Sequence, residues 1–150
     1  MTTPERAALL DRLRAGPQRV AAAALAAQAR RLAAGGGRHA GWSEREIVDH
    51  LIRVERDVFQ SRLWQVARED EPHWQWVEPG AEPGHAALAT LAGRFERVRA
   101  RTIDHLARLD ERGWARSGVH ATYGRLDVAA LLGVAVEHDT DHLAELARRA

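Results

Sequence analysis

The chain has 150 residues, a formal net charge of +1, 45% hydrophobic and 29% charged residues. That length fits one domain over residues 1–150, and the composition excludes a disordered chain and a collagen-like repeat. Cysteine and lysine are both absent, which excludes disulfides, thiolate ligands, a cysteine nucleophile, a Schiff-base lysine and the lysine of a phosphate-binding P-loop.

Arginines interrupt every apolar run, so no stretch approaches the ~20 residues of a membrane span and no membrane role is expected. They also interleave with the acidic residues and form no basic face, so nucleic acid is not an expected partner. The stretch Met1-Thr2-Thr3-Pro4-Glu5-Arg6 lacks the apolar core of a signal peptide, and a cytoplasmic protein is expected. None of Ser43, Ser61 and Ser117 stands in a G-x-S-x-G elbow.

Four helical segments follow in chain order. Thr3 is the expected cap of the first, with Pro4 at the first helical position and Leu9, Leu10 and Leu13 at helical spacing. Gly16-Pro17 predicts a kink or break, the alanine-rich stretch Val20 to Leu32 resumes the helix, and Gly35-Gly36-Gly37 ends it. Ser43-Glu44-Arg45-Glu46 is a capping box, with Trp42 and Ile47 at the staple positions. The second helix is expected from Glu44 to about Arg68, with Ile47, Leu51, Val54 and Val58 as its apolar stripe.

A loop is expected over Glu69 to Gly84, carrying Trp74 and Trp76, then a third helix from about His85 to Leu109. A second loop over Asp110 to Leu126 carries Trp114, His120 and Tyr123. Asp127 caps a fourth helix that runs nearly to the end of the chain, with Leu126 and Leu131 as its staple. No segment shows sustained period-two alternation, so the expected class is all-α, a four-helix bundle.

Eight histidines are present. His39, His73, His85 and His120 fall in expected loops or at helix ends, and His105 in the third helix. His138 and His142 are four apart on the fourth helix, where neighbouring side chains lie ~5–6 Å apart at Cβ and can meet one ion. They continue the stripe of Leu131, Ala135 and Leu146, so both imidazoles take core-facing positions. Left without polar partners there, each would cost about 1–3 kcal/mol, and an ion would satisfy both. His50 sits on or beside the apolar stripe of the second helix. If those helices are neighbours, three histidines converge, which is the donor number of a catalytic site with an open position.

The segment Gly41-Trp42-Ser43-Glu44-Arg45-Glu46-Ile47-Val48-Asp49-His50-Leu51 resembles the W-S-x-x-E-I-x-x-H-L motif of the DinB-like superfamily. Glu137-His138-Asp139-x-x-His142-Leu143, preceded by His120-x-x-x-Gly124, resembles its C-terminal motif, and Trp114-x-Arg116-x-Gly118-x-His120 matches a pattern common among its members. The resemblance implies a DinB-like four-helix bundle holding a divalent ion, zinc or nickel, on His50, His138 and His142. That family includes bacillithiol- and mycothiol-dependent transferases, a maleylpyruvate isomerase and proteins described as metal-dependent hydrolases.

Three functions are compatible with these residues. The leading one is thiol-dependent S-transfer, in which a low-molecular-weight thiol cosubstrate attacks a small-molecule electrophile. The second is metal-dependent hydrolysis of a small molecule, and the third a non-enzymatic, stress-response metal-binding bundle. A protease is set aside because Asp139 is shorter than the glutamate of H-E-x-x-H and no third ligand lies downstream. A ferritin-like di-iron centre is set aside because the one Glu-x-x-His, Glu82 to His85, contains Pro83 and Gly84.

Arg53, one turn beyond His50, is a candidate for an acidic group of the cosubstrate or a plain surface arginine. Trp74, Trp76 and Trp114 either wall a substrate pocket or fill a homodimer interface. His120 is a pocket group by the family pattern, or it anchors its loop by a hydrogen bond. The alanine-rich first helix permits close approach of a second chain, so a homodimer is possible.

Overall fold

A computed structural model describes residues 1–38 and 40–149, and His39 lies outside the described residues. Helix α1 (Thr3–Ala33) opens with a reciprocal cap in which Thr2 Oγ1 accepts from the Glu5 N–H and Glu5 Oε2 accepts from the Thr2 N–H. The cap is therefore Thr2, one residue before the expected Thr3, because only from there does Glu5 stand at the third helical position. Gly35 and Gly36, at φ of +101° and +74°, end the helix where expected.

The break expected at Gly16-Pro17 does not occur. Proline removes the N–H that would bond the carbonyl four residues back. That carbonyl, on Leu13, accepts instead from Arg99 Nη1 at 3.0 Å. Gly16 makes room for the same cluster, since a Cβ there would lie 2.3 Å from Asp139 Oδ2. A tertiary contact thus replaces the missing backbone bond, and α1 continues through Pro17 as one helix.

Helix α2 (Glu44–Val54) carries the expected capping box, with the Glu46 N–H donating to Ser43 Oγ at 3.2 Å and the Ser43 N–H to Glu46 Oε2 at 2.7 Å. The chain then widens into a π-helical segment, Glu55–Gln60, and continues as α3 (Ser61–Val66). The wider turn buries both Glu55 and Gln60. Gln60 Nε2 donates to the Val98 carbonyl at 2.8 Å and to Thr102 Oγ1 at 3.1 Å. These contacts bind the rod to α4 (Leu88–Leu106), which starts three residues later than the expected His85 because Ala87 is still extended.

The expected four-helix bundle is present, and a three-stranded sheet of short strands occupies the regions expected as loops. Strand β1 (His73–Trp74) pairs parallel to β2 (Ser117–His120), which pairs antiparallel to β3 (Gly124–Asp127). Gly118 is required by this packing, because a Cβ would lie 2.5 Å from Trp74 Cη2. The short helix α5 (Glu111–Ala115), capped by Asp110, precedes β2.

Asp127 then caps α6 (Val128–Ala147) as expected, accepting from the Ala130 N–H at 2.8 Å. The four-helix bundle consists of α1, the α2–π–α3 rod, α4 and α6, with α1 packed most extensively on α6 and α4.

The apolar core is split into two clusters along the bundle. One contains Leu13, Val58, Leu106 and Ala135; the other contains Val20, Leu51, Phe95 and Leu146. Between them every helix carries a polar or special residue: Gly16-Pro17 on α1, Glu55 on the rod, Arg99 and Thr102 on α4, His138, Asp139 and His142 on α6. The polar layer places the functional groups halfway down the bundle. No helix among the described residues is long and apolar enough to cross a membrane.

Candidate metal centre

Helices α2 and α6 bring His50, His138 and His142 together, with their ligand atoms all within 4.8 Å of one another. His138 Nε2 lies 3.2 Å from His50 Nε2 and 3.2 Å from His142 Nε2. His50 is fully buried, and the Trp42 ring packs over it at 4.5 Å between centroids.

The outer nitrogens decide what the inner ones present. His50 Nδ1 is 2.5 Å from the Pro79 carbonyl oxygen, which can only accept, so the proton sits on Nδ1. His142 Nδ1 is 3.0 Å from Glu145 Oε2 and donates in the same way. Glu145 is held in turn by Arg149 Nη2 at 2.7 Å. Both rings therefore turn a lone pair inward, and His138 has at most one N–H to share between them. Three imidazoles converging on one point, two of them oriented by an outer acceptor, suit a soft-to-borderline divalent cation.

For His138 and His50 the titration behaviour agrees with neutral rings. Burial first, and then the neighbouring His142, His50 and Arg99, push the pKa of His138 down to about 3. Burial also lowers that of His50.

Beneath the histidines lies a buried ion cluster. Arg99 Nη1 and Nη2 donate to Asp139 Oδ2 and Oδ1 at 2.9 and 3.1 Å, and Arg99 Nε pairs with Glu55 Oε1 at 2.9 Å. Thr102 Oγ1 donates to the same Glu55 oxygen at 2.5 Å. Desolvation opposes the charge of Arg99, but Glu55 and Asp139 outweigh it and raise its pKa. Asp139 follows His138 directly in sequence, so this cluster fixes the backbone that carries two of the three imidazoles.

On the open side, His138 and His142 face a cavity of about 340 Å³. The rod supplies Val54, Val58, Phe59 and Arg62 to its wall, the segment after β1 supplies Trp76 and Glu78, and Tyr123 closes one side. Glu137 and Asp141 line the same space from α6.

The other candidate residues are distributed unevenly. Trp76 lines the cavity. Trp74 does not: it is buried under β2, and its Nε1–H donates to Gln65 Oε1 at 2.8 Å. Trp114 is also buried, beneath the Arg6 guanidinium. Arg53 faces away from the cavity, paired with Asp49 at 3.0 Å and Glu82 at 2.6 Å. Because Asp49 Oδ2 also accepts from the Glu82 N–H at 2.9 Å, this triad ties the segment containing Pro79 to α2.

His120 makes the loop-anchoring contact, its Nδ1 accepting from the Thr122 and Tyr123 N–H groups at 3.0 and 3.3 Å. It sits behind Trp76 and Tyr123, with ring centroids 6.2 and 4.8 Å away.

Three participants escaped the sequence reading. Glu145 had a signal, standing three residues after His142 on the same helix. Arg62 had one too, four residues after Val58 on the apolar stripe. Pro79 had none, because its contribution is a backbone carbonyl delivered by a loop.

A sequence profile of the DinB superfamily matches residues 9–146. No curated protein matches the chain in sequence. Among solved structures it is similar to YfiT from Bacillus subtilis, described as a probable metal-dependent hydrolase with an unusual four-helix bundle topology. The TM-score is 0.73 at 18% identity, over 99% of this chain and 89% of that one. The likeness is one of fold.

Proposed function

The chain belongs to the DinB superfamily, and from that premise we propose that it is a metal-dependent enzyme whose His50, His138 and His142 hold one divalent cation, zinc or nickel. Its proposed reaction is transfer of a low-molecular-weight thiol to a small electrophilic substrate. The observation that carries this reading is the convergence of three imidazoles beside a cavity of about 340 Å³, a volume within the usual range for small-molecule sites. Bound there, a divalent cation supplies Lewis acidity, which lowers the pKa of a thiol or a water that reaches it.

The chain's own residues do the rest. Pro79 and Glu145 hold the ring tautomers. Val54, Val58 and Phe59 give the cavity an apolar wall that accepts the body of a substrate and excludes water. Glu137 and Asp141 are carboxylates in that wall and can take the proton the thiol gives up. Sulfur then forms a bond to the electrophilic carbon, and the leaving group departs with its electron pair. The family's thiol-dependent members support this choice. Since the chain has no cysteine, the thiol must come from a second molecule.

Hydrolysis is the second reading, favoured by the likeness to YfiT and its description. The two are separated by incubating zinc- or nickel-loaded protein with a panel of electrophiles and esters, with and without small thiols. Consumption that requires both metal and thiol supports transfer. Metal-dependent consumption without thiol supports hydrolysis, and no metal-dependent consumption in either arm contradicts an enzyme.

A further inference from the structure

The cavity beside the three histidines contains an arginine that pairs with no carboxylate among the described residues. Arg62 lines it, yet the residue is only 9% exposed. Its Nη2 donates to the Gln75 carbonyl at 2.8 Å, and its guanidinium stacks over the Trp74 ring at 5.4 Å. Burial lowers its pKa, opposed in part by Tyr123 and by no carboxylate among the described residues. Glu78, Glu137 and Asp141 share the cavity, but among the described residues none pairs with Arg62. The contrast is with Arg99, more deeply buried and held by two carboxylates. A fork of five N–H donors with one backbone acceptor among the described residues has donors left to offer a ligand in the cavity.

A second unfilled donor lies at the same end. His120 is 1% exposed. Because its Nδ1 accepts two backbone N–H groups, its proton is on Nε2, and that nitrogen has no partner among the described residues. It stands behind Trp76 and Tyr123, two of the aromatic rings of the cavity wall.

We propose that Arg62 anchors a carboxylate-binding subsite, so that the substrate or cosubstrate carries a carboxylate on an apolar body. The carboxylate meets the planar guanidinium, with the His120 N–H at its back, while Val54, Val58 and Phe59 cover the body. This deepens the preceding section and rests on its reading of the cavity as the reaction chamber.

The probes are 3-phenylpropionate and its neutral amide, titrated into the full-length protein without metal, so that the acid cannot bind an ion instead. Fluorescence reports binding, because Trp76 lies in the wall. The acid is expected to bind about tenfold tighter than the amide, the size of a charge-assisted hydrogen bond, and Arg62→Gln is expected to abolish that preference. Equal affinity for the two, no binding of the acid, or a preference that survives in Arg62→Gln overturns the proposal.

If Arg62→Gln loses cooperative unfolding, Arg62→Lys decides. It keeps the charge but loses the fork, so the preference must weaken and persist; an unchanged or absent preference overturns the subsite. Zinc stoichiometry of the folded Arg62 variants should equal that of the unaltered protein. A chain that takes up no zinc yet prefers the acid contradicts the metal reading and leaves the subsite standing.

Discussion

A histidine can ligate only through the nitrogen its outer partner leaves free, and here the outer partners are a loop carbonyl and a carboxylate. Glu145→Gln keeps the shape but removes the charge that fixes the His142 tautomer. Zinc affinity, measured by competition with a chromophoric chelator, should fall about 10–100-fold. Arg53→Ala acts more remotely, releasing the Asp49–Arg53–Glu82 triad and with it the segment that presents Pro79. A smaller loss of zinc affinity in the same assay is expected, and an unchanged affinity would show that Pro79 is held by other means.

His138 adds a pH dependence whose sign is set by its depressed pKa. Between about pH 6.5 and about 3, the unfolded chain binds a proton that the folded chain does not. The metal-free protein therefore loses stability as the pH falls through that window, at most ~1.4 kcal/mol per pH unit. Burial raises the pKa of Asp139, which works in the opposite direction above the ordinary range of an aspartate. The difference between the unaltered protein and His138→Gln isolates the histidine: urea midpoints compared from pH 7 to 4.5 should slope less in the variant.

At the level of the element, α1 shows how a strong local signal is overruled. Gly16-Pro17 is a breaker, yet Arg99 supplies the Leu13 carbonyl with a donor from another helix. Gly16→Ala should destabilise by about 1–3 kcal/mol in urea unfolding, because its methyl group would collide with Asp139. A neutral result would mean that the ion cluster can shift aside.

The same comparison shows what the sequence could reveal. Ser43 and Asp127 were legible as caps because their geometry is completed within three residues. The strands were not, since runs of two and four residues are too short for alternation to register. The π-helical turn was hidden because its cause is a partner on α4, and the histidine pair was visible only because four-residue spacing puts both on one helical face.

For the whole molecule, the main feature is the polar layer that divides the core. Arg99 ties together α1, the rod and α6 through Leu13, Glu55 and Asp139. Arg99→Met would leave two buried carboxylates without their cation, and a loss of about 3–5 kcal/mol is expected in urea unfolding. Glu55→Gln combined with Asp139→Asn should recover part of that loss, because it removes the unpaired charges. A mild effect of Arg99→Met alone would show that water reaches the layer.

Under that layer's support, three imidazoles from two helices converge, and the proposed metal-dependent reaction depends on their holding one ion. The decisive measurement is elemental analysis of the purified protein after loading with zinc or nickel and dialysis, alongside His50→Ala, His138→Ala and His142→Ala. One ion per chain in the unaltered protein, lost from each folded variant, is the expected result. No retained metal in the unaltered protein, or full occupancy in any of the three variants, would contradict it.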